Sequence, residues 1–214
     1  MGYGFVILFF LVVIFVVSAV VAIIAVIITA IASKQKRKRK VFAALISPFL
    51  FFFGSFFIAF FGATAVSEWK GVDIGIGDSW YVKIDGDYSL SMIDGIESGY
   101  IDFKDKQLES GVVSLQHSGD RIFGLTEAGH YFKVDMTSGN IKEYSRETDF
   151  FNAENLTNQT LNLEPVGDYY HRQSAELAGY WMHAAGIIAL FISAGLVFLF
   201  CRFVVFGRTL GLAR

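Results

Sequence analysis

The stretch Ser33-Lys-Gln-Lys-Arg-Lys-Arg-Lys-Val-Phe42 (SKQKRKRKVF, residues 33–42) sets six basic residues into seven positions between two of the most apolar runs of the chain. In a soluble protein such a run reads as a nuclear-import or nucleic-acid patch. Its flanks give it another meaning. Residues 5–32 carry no charge over 28 positions, residues 41–66 none over 26, and residues 177–206 only His183 and Arg202 over 30. About 20 apolar residues cross the roughly 30 Å hydrocarbon core of a bilayer, so each run is long enough to span it. A buried helix of a soluble protein would need about 10–14 apolar residues and would show a polar face. None of the three shows one. The first run also differs from a cleaved signal peptide, because its positive charges follow the apolar stretch instead of preceding it.

The distribution of charge orients these spans. All 20 acidic residues fall between Glu68 and Glu176, where nine basic residues accompany them, for a net charge of −11. The remaining nine basic residues are Lys34, Lys36, Arg37, Lys38, Arg39 and Lys40 in the first loop, with Arg202, Arg208 and Arg214 at the other end. Short loops rich in Lys and Arg stay on the cytoplasmic side. The chain therefore divides into a first span over 1–33 with its N-terminus outside, a basic cytoplasmic loop over 34–40 and a second span over 41–66. An acidic outer domain over 67–176, a third span over 177–206 and a cytoplasmic tail over 207–214 follow. The six loop cations are placed to contact anionic lipid headgroups. Nucleic acid is not expected as a partner, since no aromatic side chain is interleaved with them for base stacking.

Residues 67–176 change period. Alternation of apolar and polar positions, with turn signals every 8–12 residues, marks an all-β unit of seven strands between Ser79 and Tyr144. SWYVKI-DGD-YSLSMI is a hairpin turned by Asp85-Gly86, followed by GYIDF and by a meander from GVVSLQ to IKEY. Gly77-Asp78 and Gly119-Asp120 open similar successions of elements 42 residues apart. The second, GDRIFGLTEAGHYFKVDMTSGNIKEY, resembles one blade of a β-propeller, whose repeats run about 40–45 residues. Two such repeats do not close a propeller, and a seven-stranded sandwich or curled sheet accounts for the same spacing. Residues 145–172 are expected to be irregular. Tyr169, Tyr170, Tyr180 and Trp181 read as an interfacial aromatic belt, with Trp69 on the other leg. The fold class is thus three transmembrane α-helices with an all-β extracytoplasmic domain, a meander or sandwich.

Chemistry-bearing motifs are sparse. Ser67-Glu-Trp-Lys70 matches S-x-x-K, but the S-D-N and K-T-G elements that accompany it in serine acyltransferases are absent. His117, His130, His171 and His183 lack metal-ligand spacing. Asp85, Asp87, Asp94 and Glu97 crowd thirteen residues without the ligand order of an EF-hand loop. Asp85, Asp87 and Asp94 are instead the candidate contacts for a partner. Two adjacent sequons, at Asn155 and Asn158, lie in a polar stretch where coincidence explains them. The absence of cysteine from the outer domain, with Cys201 as the single one in the chain, favours a bacterial inner membrane.

Small residues recur on one face of each span: Ser18, Ala22, Ala25, Thr29 and Ala32, then Ser55, Ala59 and Gly62, then Ala185, Ala189 and Ser193. In lipid such seams let helix backbones approach, within one chain or between copies of it. The nine Phe residues of the second span are then expected to face lipid. No cofactor is expected. The reading that follows is a non-enzymatic membrane protein whose outer β-domain binds another membrane or extracytoplasmic protein, as an accessory subunit, exclusion or immunity-type protein does. A subunit of an oligomeric channel or transporter, or a membrane-surface enzyme, are the alternatives. The sidedness is testable directly. A phosphatase that works only outside the cytoplasm is expected to be active when fused at Gly139 and inactive when fused after Arg214, and the opposite pattern overturns the orientation.

Overall fold

In a computed structural model that describes residues 3–104, 106–154, 156 and 161–207, the apolar runs are helices. They are α1 (Tyr3–Ala32), α2 (Arg37–Lys70) and α5 (Tyr180–Phe206). Three helical stretches, the last running from Val166 through α5, are long and apolar enough to cross a membrane. Side chains such as Leu8, Ile28 and Phe191 stand 59%, 61% and 75% exposed. Apolar surface on this scale needs a lipid or protein cover, which points to a membrane protein. The chain forms two compact units, one of Met1–Ala65 with Trp181–Arg214 and one of Val66–Tyr180.

In the helical unit the small residues allow close approach. A Cβ built on Gly54 would lie 3.2 Å from Ser193 Oγ, and one on Gly62 would lie 3.2 Å from the Cβ of Ala185. The two contacts are about two turns apart on α2 and on α5, in opposite chain directions, so the helices pack antiparallel along this line. Ser18, Ala22, Ala189 and Ser193 are buried, Ala25, Thr29, Ser55, Ala59, Gly62 and Ala185 half-buried, and Ala32 exposed. Ser18 returns its hydroxyl to the carbonyl of Ile14 at 2.7 Å, which satisfies it without a partner helix. The phenylalanines depart from expectation. Only Phe42, Phe57 and Phe61 are exposed. The others are half-buried among themselves and their neighbours, as in the Phe56–Phe60 stack at 6.1 Å and the Phe15–Phe49 contact at 5.7 Å. Aromatic rings one turn apart on a helix meet each other before they meet lipid.

The second unit is built on a sheet of seven consecutive antiparallel strands: β1 (Ser79–Asp85), β2 (Tyr88–Ile93), β3 (Gly99–Phe103), β4 (Lys106–Ser118), β5 (Arg121–Thr126), β6 (Tyr131–Asp135) and β7 (Asn140–Tyr144). A short β8 (Glu164–Pro165) pairs with β4. Each strand pairs with its sequence neighbours, and inward positions meet in register, as in Val82–Leu90–Ile101 and Leu115–Gly124–Phe132. Val82, Leu90, Met92, Ile101, Leu115, Ile122, Phe132 and Val134 are fully buried. The sheet curls: the hydroxyl of Tyr88 on β2 reaches the carbonyl of Met136 beyond β6 at 3.3 Å. All seven strands share one ladder, so the Gly77 and Gly119 units lie within a single sheet and form no separate blades among the described residues.

Residues 145–172 are not irregular throughout, among the described residues. They contain α3 (Glu147–Glu154), β8 and α4 (Val166–Ser174), and α4 continues through a π-helical turn at Ala175–Gly179 into α5. Val166, Tyr169 and Tyr170 recur at helical spacing and are buried where α4 packs on β1 and β4. Tyr169 and Tyr170 are therefore core residues, not part of an interfacial belt. Tyr180, Trp181 and Trp69 remain exposed. The basic run is shorter as a loop than expected, because Arg37–Lys40 form the first turn of α2. The sequons at Asn155 and Asn158, and the tail residues Arg208 and Arg214, lie outside the described residues.

Gly124 is the tightest point of the sheet core. A Cβ there would fall 2.3 Å from the Phe132 ring, which occupies the space a side chain would need. Gly124→Val is expected to lower stability by about 1–3 kcal/mol through overpacking. Denaturant unfolding followed by intrinsic tryptophan fluorescence checks this, with Thr137→Val on the exposed β6–β7 turn as the neutral control.

Candidate functional site

The face of the sheet opposite the core is treated differently along its width. Over β5–β7 it is covered by α3, whose Phe150 is fully buried against Phe123, Tyr131 and Tyr144 with ring centroids 5.9, 5.2 and 5.3 Å away. Glu154 at the end of α3 latches the helix down. It accepts hydrogen bonds from Lys133 Nζ at 2.6 Å and from the Tyr144 hydroxyl at 2.5 Å. Burial alone would push the Glu154 carboxyl up. The hydrogen bonds from Lys133 and Tyr144, with the charges of Lys133 and Lys142, outweigh it and hold the carboxyl below its ordinary value.

Over β1–β3 the same face carries a groove of about 430 Å³, lined only by these strands, the β1–β2 turn and Gly71. Register places two rows across it: Tyr81–Ser91–Tyr100, and next to it Lys83–Ser89–Asp102. The hydroxyl of Ser91 donates to Asp102 Oδ2 at 2.8 Å. The Tyr81 and Ser67 hydroxyls lie 3.3 Å apart. Burial, then the Asp102 carboxylate, raise the Tyr100 hydroxyl above its usual value, so it stays protonated as a donor at neutral pH. Two phenol rings around a small polar centre, with a cation and an anion beside it, combine wide apolar contact with fixed hydrogen-bonding groups.

The acidic candidates do not form one surface. Asp85 and Asp87 are exposed in the β1–β2 turn, where Asp85 Oδ1 accepts the Gly86 N–H at 2.7 Å and Asp87 pairs with Lys104 at 3.6 Å. Asp94 follows the far end of β2 with φ +63°, a strand length of about 20 Å away. Ser67 and Lys70 are not arranged as nucleophile and base: Ser67 is buried beside Tyr81, and the Lys70 ammonium lies over the Trp69 ring, 3.9 Å from its centroid. No three metal-ligating side chains converge among the described residues. Lys34, Lys36, Arg37, Lys38 and Arg39 are exposed and Lys40 half-buried.

The sequence reading passed over Tyr81, Lys83, Ser89, Ser91, Tyr100 and Asp102. Their signal was the alternation itself, since each is the off-core position of a strand that the alternation marks. Comparison with known protein families, curated proteins and solved structures finds no match.

The Glu154 latch gives a pH test. A carboxyl held low in the folded state stabilises it above the unfolded value near 4.3, and that contribution is lost as pH falls through the folded value. Glu154→Gln is expected to cost about 1.5–3 kcal/mol at pH 7 and to flatten the loss of stability below about pH 4.5. Parallel denaturation curves of the full chain in detergent at pH 7 and pH 3.5 check both effects.

Proposed function

We propose that the chain is a non-enzymatic inner-membrane protein of a bacterium whose sheet domain lies outside the cytoplasm and binds a protein partner through the open face of β1–β3. The observation that carries this reading is the division of one sheet face, sealed by α3 over β5–β7 and left as an aromatic and polar groove over β1–β3. Tyr81 and Tyr100 are the anchors, and Lys83, Ser89, Ser91 and Asp102 fix register. Aromatic residues lose little conformational freedom on binding and dominate interface energetics, which suits such a face to a protein ligand. The net charge of −11 over residues 67–176 favours a basic partner surface, steering encounter more than tightening the final complex. An accessory, exclusion or immunity-type role matches this arrangement. The channel-subunit alternative draws on small-residue seams, and Gly54, Gly62, Ala185 and Ser193 are already engaged between α2 and α5 of one chain.

The test uses a photo-crosslinking amino acid in native membranes. Crosslinks to a protein are expected from position 81 or 100, and none from position 137 on the exposed β6–β7 turn. Association with the captured partner is then expected to slow as salt rises, because the Debye length contracts from about 10 Å at 0.1 M to about 3 Å at 1 M. Equal crosslinking from all three positions, or from none, removes the groove as the binding face.

A further inference from the structure

We propose that α5 and the α1–α2 connection together form a discrete site for one anionic phospholipid. The headgroup phosphate is held by Lys36, Arg39 and Arg202, and an acyl chain lies along α5. This inference rests on the helices lying in a bilayer and is independent of the partner-binding role of the sheet.

The apolar part of the site is a groove of about 510 Å³ along α5, lined by Phe198, Cys201, Arg202, Val205 and Phe206. These residues recur at three- and four-residue spacing and so share one helix face. Phe198 and Phe206 are 64% and 63% exposed, which leaves an open slot walled by two rings. Arg202 is the single charged residue in it, and its long apolar stem lets the guanidinium reach for a headgroup while the slot stays apolar.

The cationic part converges on the same place from a different segment. The α1–α2 connection is short and tied at both ends, by Ser33 N–H to Thr29 O at 3.0 Å and Lys40 N–H to Lys36 O at 3.1 Å. Lys36 takes a left-handed backbone conformation, φ +52°, that non-glycine residues rarely adopt. Its ammonium sits 5.3 Å from the centroid of Phe206, at the mouth of the groove. Arg39 reaches the end of α5: its Nη1 lies 4.0 Å from where a Cβ on Gly207 would be. No Asp or Glu occurs before Glu68 or after Glu176, so no acidic side chain of the helical unit neutralises these cations. An anionic phospholipid joins a phosphodiester to acyl chains, and basic pockets beside membrane helices recognise such headgroups.

A merely diffuse attraction between a basic loop and a charged membrane makes a different forecast, because there every cation counts alike. The full chain would be reconstituted in nanodiscs of equal phosphatidylglycerol and phosphatidylcholine with matched acyl chains, and its retained lipids counted by native mass spectrometry. One phosphatidylglycerol is expected to stay bound in preference to phosphatidylcholine. Lys36→Gln with Arg202→Gln is expected to reduce that preference by roughly tenfold or more, the scale set by two basic groups at a membrane surface. Lys34→Gln with Lys38→Gln, the same change in charge at two cations that do not line the groove, is expected to leave it nearly intact. Equal losses in the two double variants, or no anionic preference in the unsubstituted chain, overturn the proposal. Should the first pair fail to fold, Arg202→Gln alone is compared with Lys38→Gln alone by the same readout, and equal retention in those two overturns it as well.

Discussion

The hydrogen bond from the Tyr170 hydroxyl to Asp73 Oδ1, 2.6 Å long and buried, joins positions 97 residues apart. The second oxygen of the same carboxylate takes the N–H of Gly75 at 2.6 Å, so a buried acid is satisfied on both sides. Around it the domain is closed. Residues 71–73 run along the outer edge of β1, with Lys83 N–H to Gly71 O at 2.7 Å and Asp73 N–H to Tyr81 O at 3.0 Å. This covers an edge that would otherwise offer unpaired backbone groups to another strand. Tyr170 reaches the same point from α4, which packs on β1 and β4. Entry and exit of the sheet domain are thus fastened to each other through one carboxylate, and an unpartnered charge at that depth would cost several kcal/mol.

Two packing regimes meet in this chain. In the sheet domain burial is driven by water, and the core is filled by Leu, Ile, Val and Phe to the point where Gly124 must lack a side chain to admit Phe132. In the helical unit many large apolar side chains stand exposed, and the closest backbone approaches are made at Gly, Ala and Ser. That inversion fits a lipid solvent, in which apolar surface gains nothing by leaving its surroundings and close fit discriminates one helix contact from another.

Much of this was legible in the sequence, for identifiable reasons. Strand alternation with Asp-Gly and other Gly turns marked all seven strands between Ser79 and Tyr144, since both signals are local. The apolar runs marked the helices for the same reason. The misreadings come from segments whose structure is decided by tertiary contact. In α3 the buried Phe150, with Phe151 packed beside it, settles the helix onto the sheet, and eight residues of mixed polarity show no period long enough to detect. In α4 the spacing of Val166, Tyr169 and Tyr170 was present, but two tyrosines just ahead of an apolar run look the same whether they face headgroups or a protein core. The curl of the sheet, and with it the groove over β1–β3, depends on how far the inner side chains can interdigitate, which no single strand records. Asp85, Asp87 and Asp94 drew notice because acids cluster in sequence, whereas a strand of ordinary length separates the last of them from the other two.

The nearest-neighbour order of the sheet also governs how it can assemble. Every strand from β2 to β7 bonds to the strand just before it in the chain, so each hairpin can close as soon as its second strand exists, without waiting for distant sequence. Loop-closure cost stays low at every such step. The elements that break this order are β8, which returns to β4, and α4, which returns to β1 and Asp73. They come last in the domain. Zipping can therefore proceed from one end, while the bond between Asp73 and Tyr170 joins the two ends of the whole meander and so acts as the seal on a completed domain.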